Sequence, residues 1–315
     1  PEPLPTPEFN LPEASVHTLS NGLEVRIVEN HEVPLWNAQL VVRGGSGQDP
    51  MGKEGLASVT LDLMDDGTTS RTASEISRNI KRLGSSLSSG AGLDSATVSA
   101  SGILRNIEPT LDILVDVALN PTFPADEWQI VQDKRVADAT AKLEDPDTVG
   151  REVFYKTLYG GLYQGSVSTA DSLRAISTED MQAWHASHFQ PGNALLLVGG
   201  DVTPEQVLPM LEARFGAWQA TGEAEVAMTP EPAVPESSVL YFVDKPGAAQ
   251  SVIRLGGFVG QRTEDDYYAL HIGNAAFGGA FTARVNMNLR EDKGYTYGAR
   301  CNAWYPEGPG VFFCS

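Results

Sequence analysis

Residues 16–29 read VHTLSNGLEVRIVE, and this stretch decides how the first part of the chain folds. Two runs that suit β-strands, Val16 to Leu19 and Leu23 to Glu29, flank the tripeptide Ser20-Asn21-Gly22. Asn-Gly supplies the positive φ angles of a type I′ turn, so the stretch predicts a β-hairpin. Residues 36–43 (WNAQLVVR) follow as a predicted third strand.

Helical spacing begins after this third strand. In residues 54–66 the apolar side chains of Leu56, Val59 and Leu63 recur on one helix face, and Gly67 ends the pattern. This segment is therefore predicted to be an amphipathic helix.

The middle of the chain is predicted to be mostly helical. Residues 72–75 (TASE) form a capping box that opens a helix, and Gly84 stops it. Residues 95–101 alternate small apolar and polar side chains, which predicts a strand with one buried face. Grouped helices beside antiparallel strands indicate the α+β class. Further helices are predicted for residues 106–119, 125–144, 147–158, 177–189 and 203–215, with a strand at 194–198.

A change in composition marks the end of the first domain. Residues 221–237 (TGEAEVAMTPEPAVPES) are rich in proline and acidic residues and are interpreted as an inter-domain linker. The order that follows, strand, strand, helix, repeats the start of the chain and suggests an internal duplication. The second domain is short and stops in a strand, so we expect it to be incomplete. The predicted segments are a tail at 1–14, a first domain at 15–220, the linker at 221–237 and an incomplete second domain at 238–315, with strands at 239–243 and 251–258, helices at 265–277 and 281–290, and a terminal hairpin.

Composition excludes some classes of function. The chain has 315 residues and a net charge of −19. Nucleic acid is an unlikely partner on this basis, because binding phosphates needs a basic patch. No apolar run reaches the roughly 18 residues that a transmembrane helix needs. Residues 1–12 show no signal-peptide pattern and predict an extended tail, left either by signal cleavage or by cloning.

The two cysteines, Cys301 and Cys314, flank a turn signal, residues 306–310 (PEGPG). A hairpin centred near Glu307 and Gly308 would place the two cysteines opposite each other on paired strands. They are interpreted either as a cross-strand disulfide formed in an oxidising compartment or as two buried thiols.

Two segments resemble the pitrilysin/insulinase family of zinc metallopeptidases, in particular its small bacterial members and the subunits of mitochondrial processing peptidase. The first is residues 20–25 (SNGLEV) followed by 55–57 (GLA) and 67–68 (GT), and the second is 277–284 (FGGAFTAR) leading to 289–298 (LREDKGYTYG). The resemblance covers nearly the whole chain. It implies the LuxS- and processing-peptidase-like clam-shell, in which two related α+β domains each pack grouped helices on an antiparallel sheet.

The resemblance also shows what this chain lacks. Active members carry His-x-x-Glu-His on the helix after Gly-Leu-Ala, where two histidines bind zinc and the glutamate is the general base. The matching positions here are Ser58, Leu61 and Asp62. The third ligand of active members falls near residues 137–139, where Asp138 lies. These positions are therefore degenerate, no metal or other cofactor is expected on this chain, and zinc is expected on a partner subunit.

No other catalytic motif replaces the zinc site in the sequence. His185 and His188 are three residues apart on one predicted helix, but no further ligands lie nearby in sequence, so both are interpreted as helix-surface or core residues. A nucleophile elbow, a Walker-type phosphate loop and a dinucleotide fingerprint are all absent from the sequence.

The second segment keeps a pair of residues that the family uses on the wall facing the zinc. Arg290 and Tyr297 are seven residues apart, as the family's Arg/Tyr pair is. The resemblance implies that they contact the substrate backbone and stabilise the oxyanion in a partner's active site. A structural alternative stays open, in which Arg290 complements a helix C-terminus and Tyr297 packs on a sheet.

The predicted function is that of a non-catalytic subunit of a heterodimeric zinc metalloendopeptidase, inactive alone, whose partners are a homologous zinc-bearing subunit and a peptide substrate. The alternative is a scaffold or peptide-binding protein with no role in proteolysis, which could hold an extended peptide on an edge strand within residues 85–101. The cysteines and the trimmed N-terminus favour the periplasm or cell envelope of a Gram-negative bacterium.

Overall fold

The computed structural model describes residues 12–160, 162–222, 232–234 and 237–315. Most of the predicted tail and linker therefore lies outside the described residues. Contacts divide the chain into two compact units. Unit 1 comprises Pro1–Gly44, Ala57–Gln129 and Ser177–Val226, and unit 2 comprises Gly45–Leu56, Ile130–Ile176 and Ala227–Ser315. The domain boundaries taken from the sequence stay predictions.

The secondary structure is mixed, as the α+β prediction requires. The strands are β1 (Ser15–Thr18), β2 (Glu24–Glu29), β3 (Leu35–Arg43), β4 (Ser86–Ala91), β5 (Ser95–Ile103), β6 (Ala194–Gly200), β7 (Leu255–Val259), β8 (Cys301–Trp304) and β9 (Gly310–Cys314). The helices are α1 (Leu56–Leu63), α2 (Ala73–Leu83), α3 (Ile107–Leu119), α4 (Ala125–Ala141), α5 (Pro146–Tyr159), α6 (Ala170–Arg174), α7 (Thr178–His188), α8 (Pro204–Phe215), α9 (Tyr267–Asn274) and α10 (Arg284–Asn286). No helix among the described residues has the length and apolar character to cross a bilayer.

Unit 1 contains a six-stranded sheet in the order β1-β2-β6-β3-β5-β4. All neighbouring strands are antiparallel except β2 and β6, which run parallel. Along β3 the side chains of Trp36, Ala38, Leu40 and Val42 are buried and alternate with less buried ones, which is the pattern of a strand with one face on the core. Helix α3 packs its broad apolar stripe on β5.

The hairpin predicted from residues 16–29 is present, but its turn is of a different type. Thr18 pairs with Glu24, Leu19 donates its N–H to the Leu23 carbonyl, and the Gly22 N–H reaches the Leu19 carbonyl. Gly22 has a φ of 88°, whereas Asn21 does not have a positive φ. A type I′ turn needs positive φ at both of its central residues, so this loop is a three-residue loop that ends in a glycine bulge.

The capping box and the glycine stop predicted for the second helix are confirmed. Thr72 accepts from the Glu75 N–H, the Glu75 carboxylate accepts from the Thr72 N–H, and Gly84 ends α2 in a left-handed conformation. The sequence analysis did not identify β4 as a separate strand. Its small side chains alternate weakly, and its hydrogen-bonding partner is the neighbouring β5.

Unit 2 contains a three-stranded antiparallel sheet in the order β7-β9-β8. The strands β7, β9 and β8 correspond in order to β3, β5 and β4 of unit 1. In both units a strand is followed by helices and then by a hairpin, and the second strand of the hairpin pairs with the strand before the helices. The repeat expected from the sequence is therefore visible in strand order. Helix α9 continues into a π-helical turn, Ala275–Gly279, and α10 continues into another, Met287–Asp292.

The predicted strand at residues 239–243 is wrong. These residues form no regular element, and their apolar side chains are 53% to 91% exposed. The predicted strand at 251–258 is shorter and later, since β7 begins only at Leu255. In unit 1 the strand before β3 is β2, which is held by pairing with β6. Among the described residues of unit 2 no strand takes the place of β6, so residues 239–243 have no ladder to join.

The loop that closes the first hairpin also ends a helix, and this gives a test of the fold. Asn21 donates from Nδ2 to the carbonyls of Phe215 and Trp218, both at 2.9 Å, and its Oδ1 accepts from the Leu23 N–H at 3.1 Å. We expect Asn21→Ala to lower the free energy of unfolding by about 2 kcal/mol, because three partly buried bonds are lost together. The melting temperature should fall by roughly 5 °C.

The control is Asn30→Ala at the end of β2. Asn30 is exposed, and its side chain accepts a single bond from the Glu32 N–H. It should change the melting temperature by about 1 °C or less. Equal effects of the two substitutions would show that Asn21 does not anchor the end of α8.

Candidate functional site

The degenerate zinc-motif positions lie on α1. Ser58 and Asp62 are half-buried, whereas Leu61 between them is fully buried, with 0% of its surface exposed. The Leu61 carbonyl accepts a bond of 2.7 Å from the Ser89 hydroxyl of β4, which joins this helix to the edge strand. The position of the general base in active relatives is thus occupied here by a core side chain.

The described residues do not bring a metal ligand set together. No group of three or more His, Cys, Asp or Glu side chains that could hold an ion is found in the described part of the chain. Asp138, at the position expected for the third ligand, is an exposed residue of α4. Serine, leucine and aspartate at 58, 61 and 62 do not fit zinc, which takes four nitrogen, sulfur or carboxylate ligands. No step through a metal on this chain is therefore derived, and the absence of a bound cofactor stays a prediction.

The C-terminal end of the α1 segment is strongly acidic. Partial burial raises the pKa of Asp66 to about 6, and the carboxylates of Asp65, Glu127 and Asp62 raise it further. Burial is also the main cause of a raised pKa at Asp65. Crowded like charges of this kind make each carboxyl group hold its proton more tightly.

Arg290 and Tyr297, the second predicted site, lie together in unit 2. The Arg290 guanidinium carbon is 5.1 Å from the centre of the Tyr297 ring and 4.7 Å from the centre of the Phe281 ring, so the cation contacts two aromatic rings. Arg290 Nε also lies 3.3 Å from the Glu291 carboxylate. Tyr297 is 90% exposed and belongs to an irregular segment, so it does not pack on a sheet face.

Asn286 holds the loop that carries Tyr297, and the sequence analysis did not identify it. This buried residue of α10 donates from Nδ2 to the Phe281 carbonyl at 2.7 Å and accepts from the Ala299 N–H at 3.1 Å. It therefore ties both ends of the segment around Arg290. Phe281 was also missed as a contact of Arg290. Its aromatic type at the start of residues 281–284 (FTAR) was the only sequence signal for it.

The pair can supply hydrogen-bond donors to a peptide. A guanidinium keeps its charge at neutral pH and presents fixed donors, and a phenol supplies one O–H. A cation–π contact with a ring face does not use up the N–H donors as a salt bridge to a carboxylate does. This arrangement suits contact with a backbone carbonyl or an oxyanion.

His188 is a buried core residue and His185 is partly buried at the edge of the same packing. Burial lowers the pKa of His185 to about 4, and its Nε2 lies 2.8 Å from the Ala118 carbonyl. The His188 ring is 3% exposed and stacks on Trp184 with centroids 4.2 Å apart. Both rings therefore belong to the packing of α7.

Cys301 and Cys314 form a disulfide between β8 and β9. Arg300 and Ser315 exchange both backbone hydrogen bonds, so the cysteine pair occupies the neighbouring non-hydrogen-bonded position, where strands come closest. Gly278 packs directly against Cys301, and a Cβ at position 278 would overlap its Sγ. Position 278 therefore needs a glycine for this close approach.

Two family models match the chain. One, described as insulinase (peptidase family M16), matches residues 25–164, and the other, described as peptidase M16 inactive domain, matches residues 175–315. The first match contains the degenerate positions on α1, and the second contains Arg290 and Tyr297.

Individual proteins are also similar to this chain. A Mycobacterium leprae protein described as an uncharacterized zinc protease is 23% identical over 284 residues, which are 89% of this chain and 63% of the relative. Mitochondrial cytochrome b-c1 complex subunit 1 of Caenorhabditis elegans is 26% identical over 212 residues, 65% of this chain and 44% of that protein. The chain therefore spans less than two thirds of these two relatives.

A solved structure supports the fold over nearly the whole chain. It is a crystal structure described as a peptidase M16 inactive domain from Pseudomonas fluorescens. It superposes with a TM-score of 0.85 at 25% identity, over 96% of this chain and 73% of the other.

The acidic cluster predicts a pH-dependent gain in stability. A carboxyl group whose pKa is raised in the folded state stabilises the fold at low pH, and that contribution is lost as pH rises through the folded value of about 6. Asp66→Asn should therefore be more stable than the parent at pH 7.5, by about 1 kcal/mol once solvent screening of this half-exposed group is allowed for. At pH 4 the gain should disappear.

Thermal unfolding at both pH values measures this effect. Asp126→Asn, at an exposed aspartate in the first turn of α4, is the matched control and should show no gain at pH 7.5. A gain for Asp66→Asn that is the same at pH 4 and pH 7.5 would contradict the ionisation argument.

The buried general-base position gives a second test. Leu61→Glu should lower stability by about 3 kcal/mol or more at pH 7, because it places a carboxyl group where no surface is exposed. Leu61→Met keeps the volume and should cost less than about 1.5 kcal/mol. Chemical denaturation measures the free energy of unfolding of both variants. If Leu61→Glu were as stable as Leu61→Met, position 61 would have to be open to solvent.

Proposed function

Because the chain belongs to peptidase family M16, the insulinase family, we propose that it is the non-catalytic subunit of a heterodimeric zinc metalloendopeptidase. It is a member of the family without the zinc motif, since Ser58, Leu61 and Asp62 stand at the motif positions. A homologous zinc-bearing subunit would then perform the bond cleavage, with the metal supplying the Lewis acid and the activated water.

The observation that carries this proposal is the arrangement of Arg290 and Tyr297. Had the pair been structural only, Tyr297 would be expected to pack in the fold, yet its side chain is 90% exposed. Arg290 is held against both Phe281 and Tyr297, which limits its freedom before any ligand binds. A donor pair fixed in advance stabilises a developing oxyanion without the cost of ordering flexible side chains.

The role assigned to each residue follows from its chemistry. Arg290 would direct its in-plane N–H groups at the substrate backbone and its charge at the oxyanion that forms in the partner's site. Tyr297 would donate its O–H to the same carbonyl. Neither role needs a metal on this chain.

The substrate class and the location of the protein are proposed from the family, the net charge and the disulfide. A peptide substrate follows from the family, and the net charge of −19 favours basic peptides. The Cys301–Cys314 disulfide suits an oxidising compartment, which supports the periplasm or cell envelope of a Gram-negative bacterium.

A scaffold or peptide-binding role is the second candidate. It is favoured by the similarity to a subunit whose name places it in the cytochrome b-c1 complex. Strand β4 also lies at the edge of the six-stranded sheet, where an extended peptide could pair with it. A scaffold would not require an exposed Tyr297 beside Arg290, and this difference separates the two candidates.

The experiment is a peptidase assay of the chain alone and with its zinc-bearing relative from the same source, with zinc measured on each. We expect activity only in the mixture and zinc only on the partner. Arg290→Ala and Tyr297→Phe should each lower kcat on the order of 10²-fold, as the loss of an oxyanion donor does.

Matched controls lie in the same region of unit 2. Arg284→Ala changes an exposed arginine of α10, and Tyr295→Phe removes the hydroxyl of a tyrosine that is 77% exposed in the same loop. Both should leave kcat within about twofold of the parent mixture. A partner that is equally active alone, or silent substitutions at 290 and 297, would support the scaffold role instead.

A further inference from the structure

Unit 2 contains a depression of about 270 Å³ that plays no part in the proposed proteolytic function. A volume of this size is below that of a typical drug-sized pocket and suits a single large side chain. Its walls come from helix α5, the short turn after it, and the sheet: Tyr155, Gln164, Asn302, Ala303, Trp304 and Phe313.

Aromatic rings form most of the wall. Strand register places Asn302 opposite Phe313, and Trp304 lies two residues further along β8 on the same face. The Tyr155 ring meets Trp304 edge-on at 5.2 Å and Phe313 edge-on at 6.2 Å. Such edge-to-face contacts hold the rings in defined orientations, so the wall is built before a ligand arrives.

Gln164 adds one polar group whose hydrogen bonding is incomplete. The residue is 5% exposed, and its Nε2 donates to the Glu307 carbonyl at 3.3 Å. Because that carbonyl only accepts, the amide orientation is settled and Oε1 is the other atom. Oε1 is buried and has no hydrogen-bond partner among the described residues. A buried acceptor without a partner is costly, which favours a ligand that brings a donor.

The charge around the depression argues against a cationic ligand. The Arg254 guanidinium lies 5.8 Å from the centre of the Phe313 ring on this wall. Arg254 and Arg151 both act on the Tyr155 hydroxyl and oppose the effect of burial, which raises its pKa. Arg254 is also paired with Asp147 at 3.1 Å, and none of the residues that line the depression is acidic, so a lysine or arginine side chain would find no counter-charge there and a neutral aromatic ring is the better fit.

The edge of the sheet indicates a peptide. Strand β8 is outermost, and the mutual bonds of Arg300 and Ser315 mean that Asn302 and Trp304 direct their backbone groups towards β9. Cys301 and Ala303 therefore face the outer edge, where the Cys301 carbonyl accepts from Asn274 at 2.8 Å. Among the described residues no backbone group pairs with Ala303 on this side, so Ala303 could pair with an added strand, whose residues next to the paired one would direct side chains to the depression.

From these contacts we infer that the depression between α5 and the β8–β9 hairpin binds the tyrosine or tryptophan side chain of an extended peptide, with the ring against Trp304 and its O–H or N–H donating to Gln164. The bond requires the Gln164 amide to turn slightly towards the depression, which its long bond to Glu307 allows. Binding at this site does not depend on any role in proteolysis.

The test compares aromatic ligands that carry a hydrogen-bond donor on the ring with close analogues that lack it. Binding of N-acetyl-L-tyrosinamide and N-acetyl-L-phenylalaninamide to the whole chain is measured by calorimetry, and indole is compared with 1-methylindole in the same way. We expect a preference of about tenfold for the ligand with the donor in each pair. N-acetyl-L-lysinamide should bind more weakly than either aromatic amide.

Three variants locate the site. Gln164→Met keeps the size of the side chain and removes the acceptor, so the two aromatic amides should bind within about twofold of each other. Trp304→Ala should weaken both at least fivefold. Tyr268→Ala, at a tyrosine that is 74% exposed on α9, should change neither and controls for binding to any exposed ring.

Two results would overturn the inference. One is equal binding of the two ligands of each pair to the parent chain, and the other is a preference for the ligand with the donor that survives in Gln164→Met. Should that variant fail to fold by circular dichroism, the comparison of indole with 1-methylindole on the parent chain and the effect of Trp304→Ala decide the question.

Discussion

The central strand β3 is the constraint on which the rest of unit 1 depends. Its residues pair with β5 on one side and with β6 on the other, so the strand is hydrogen-bonded along both edges. Its alternate residues are buried, and a shift of one position would expose Trp36 and Leu40 while burying Asn37 and Gln39. This register sets which face of β5 and β6 meets the helices. Strand β6 lies between β2 and β3, which run in opposite directions. Because β6 is antiparallel to β3, it must run parallel to β2.

Sequence patterns predicted the local elements well and the long-range ones poorly. The hairpin, the capping box of α2 and the paired cysteines each depend on residues close in sequence, and their chemistry is legible there. The turn type was wrong because Asn-Gly also suits a three-residue loop with a bulge, a choice that the Asn21 contacts to the end of α8 support. The strand at 239–243 was wrong because an apolar run such as VLYFV does not reveal whether a pairing partner exists.

The contrast between local and long-range features also applies to the candidate functional residues. The degenerate positions and the Arg/Tyr pair follow from motif spacing, and the family that this spacing resembled is confirmed by the two matching models. Phe281, Asn286 and Gln164 could not be found in this way, since their roles arise from contacts that the fold makes. On α1 a buried leucine occupies the central position of the predicted degenerate motif, and crowded carboxylates follow it, so this helix end contributes packing and charge.

The two aromatic contacts of Arg290 bear directly on whether it can still serve a partner's active site. A guanidinium that forms salt bridges on all sides has no donor left, whereas one that stacks on rings keeps the donors in its plane. Here the guanidinium carbon lies over the Phe281 and Tyr297 rings, and only Nε lies near a carboxylate, that of Glu291. Asn286 fixes the loop on both sides of this group, so the orientation of the cation is set by the backbone and the rings. These contacts restrain Arg290 before any ligand binds, and such restraint is what the proposed stabilisation of a transition-state charge would require.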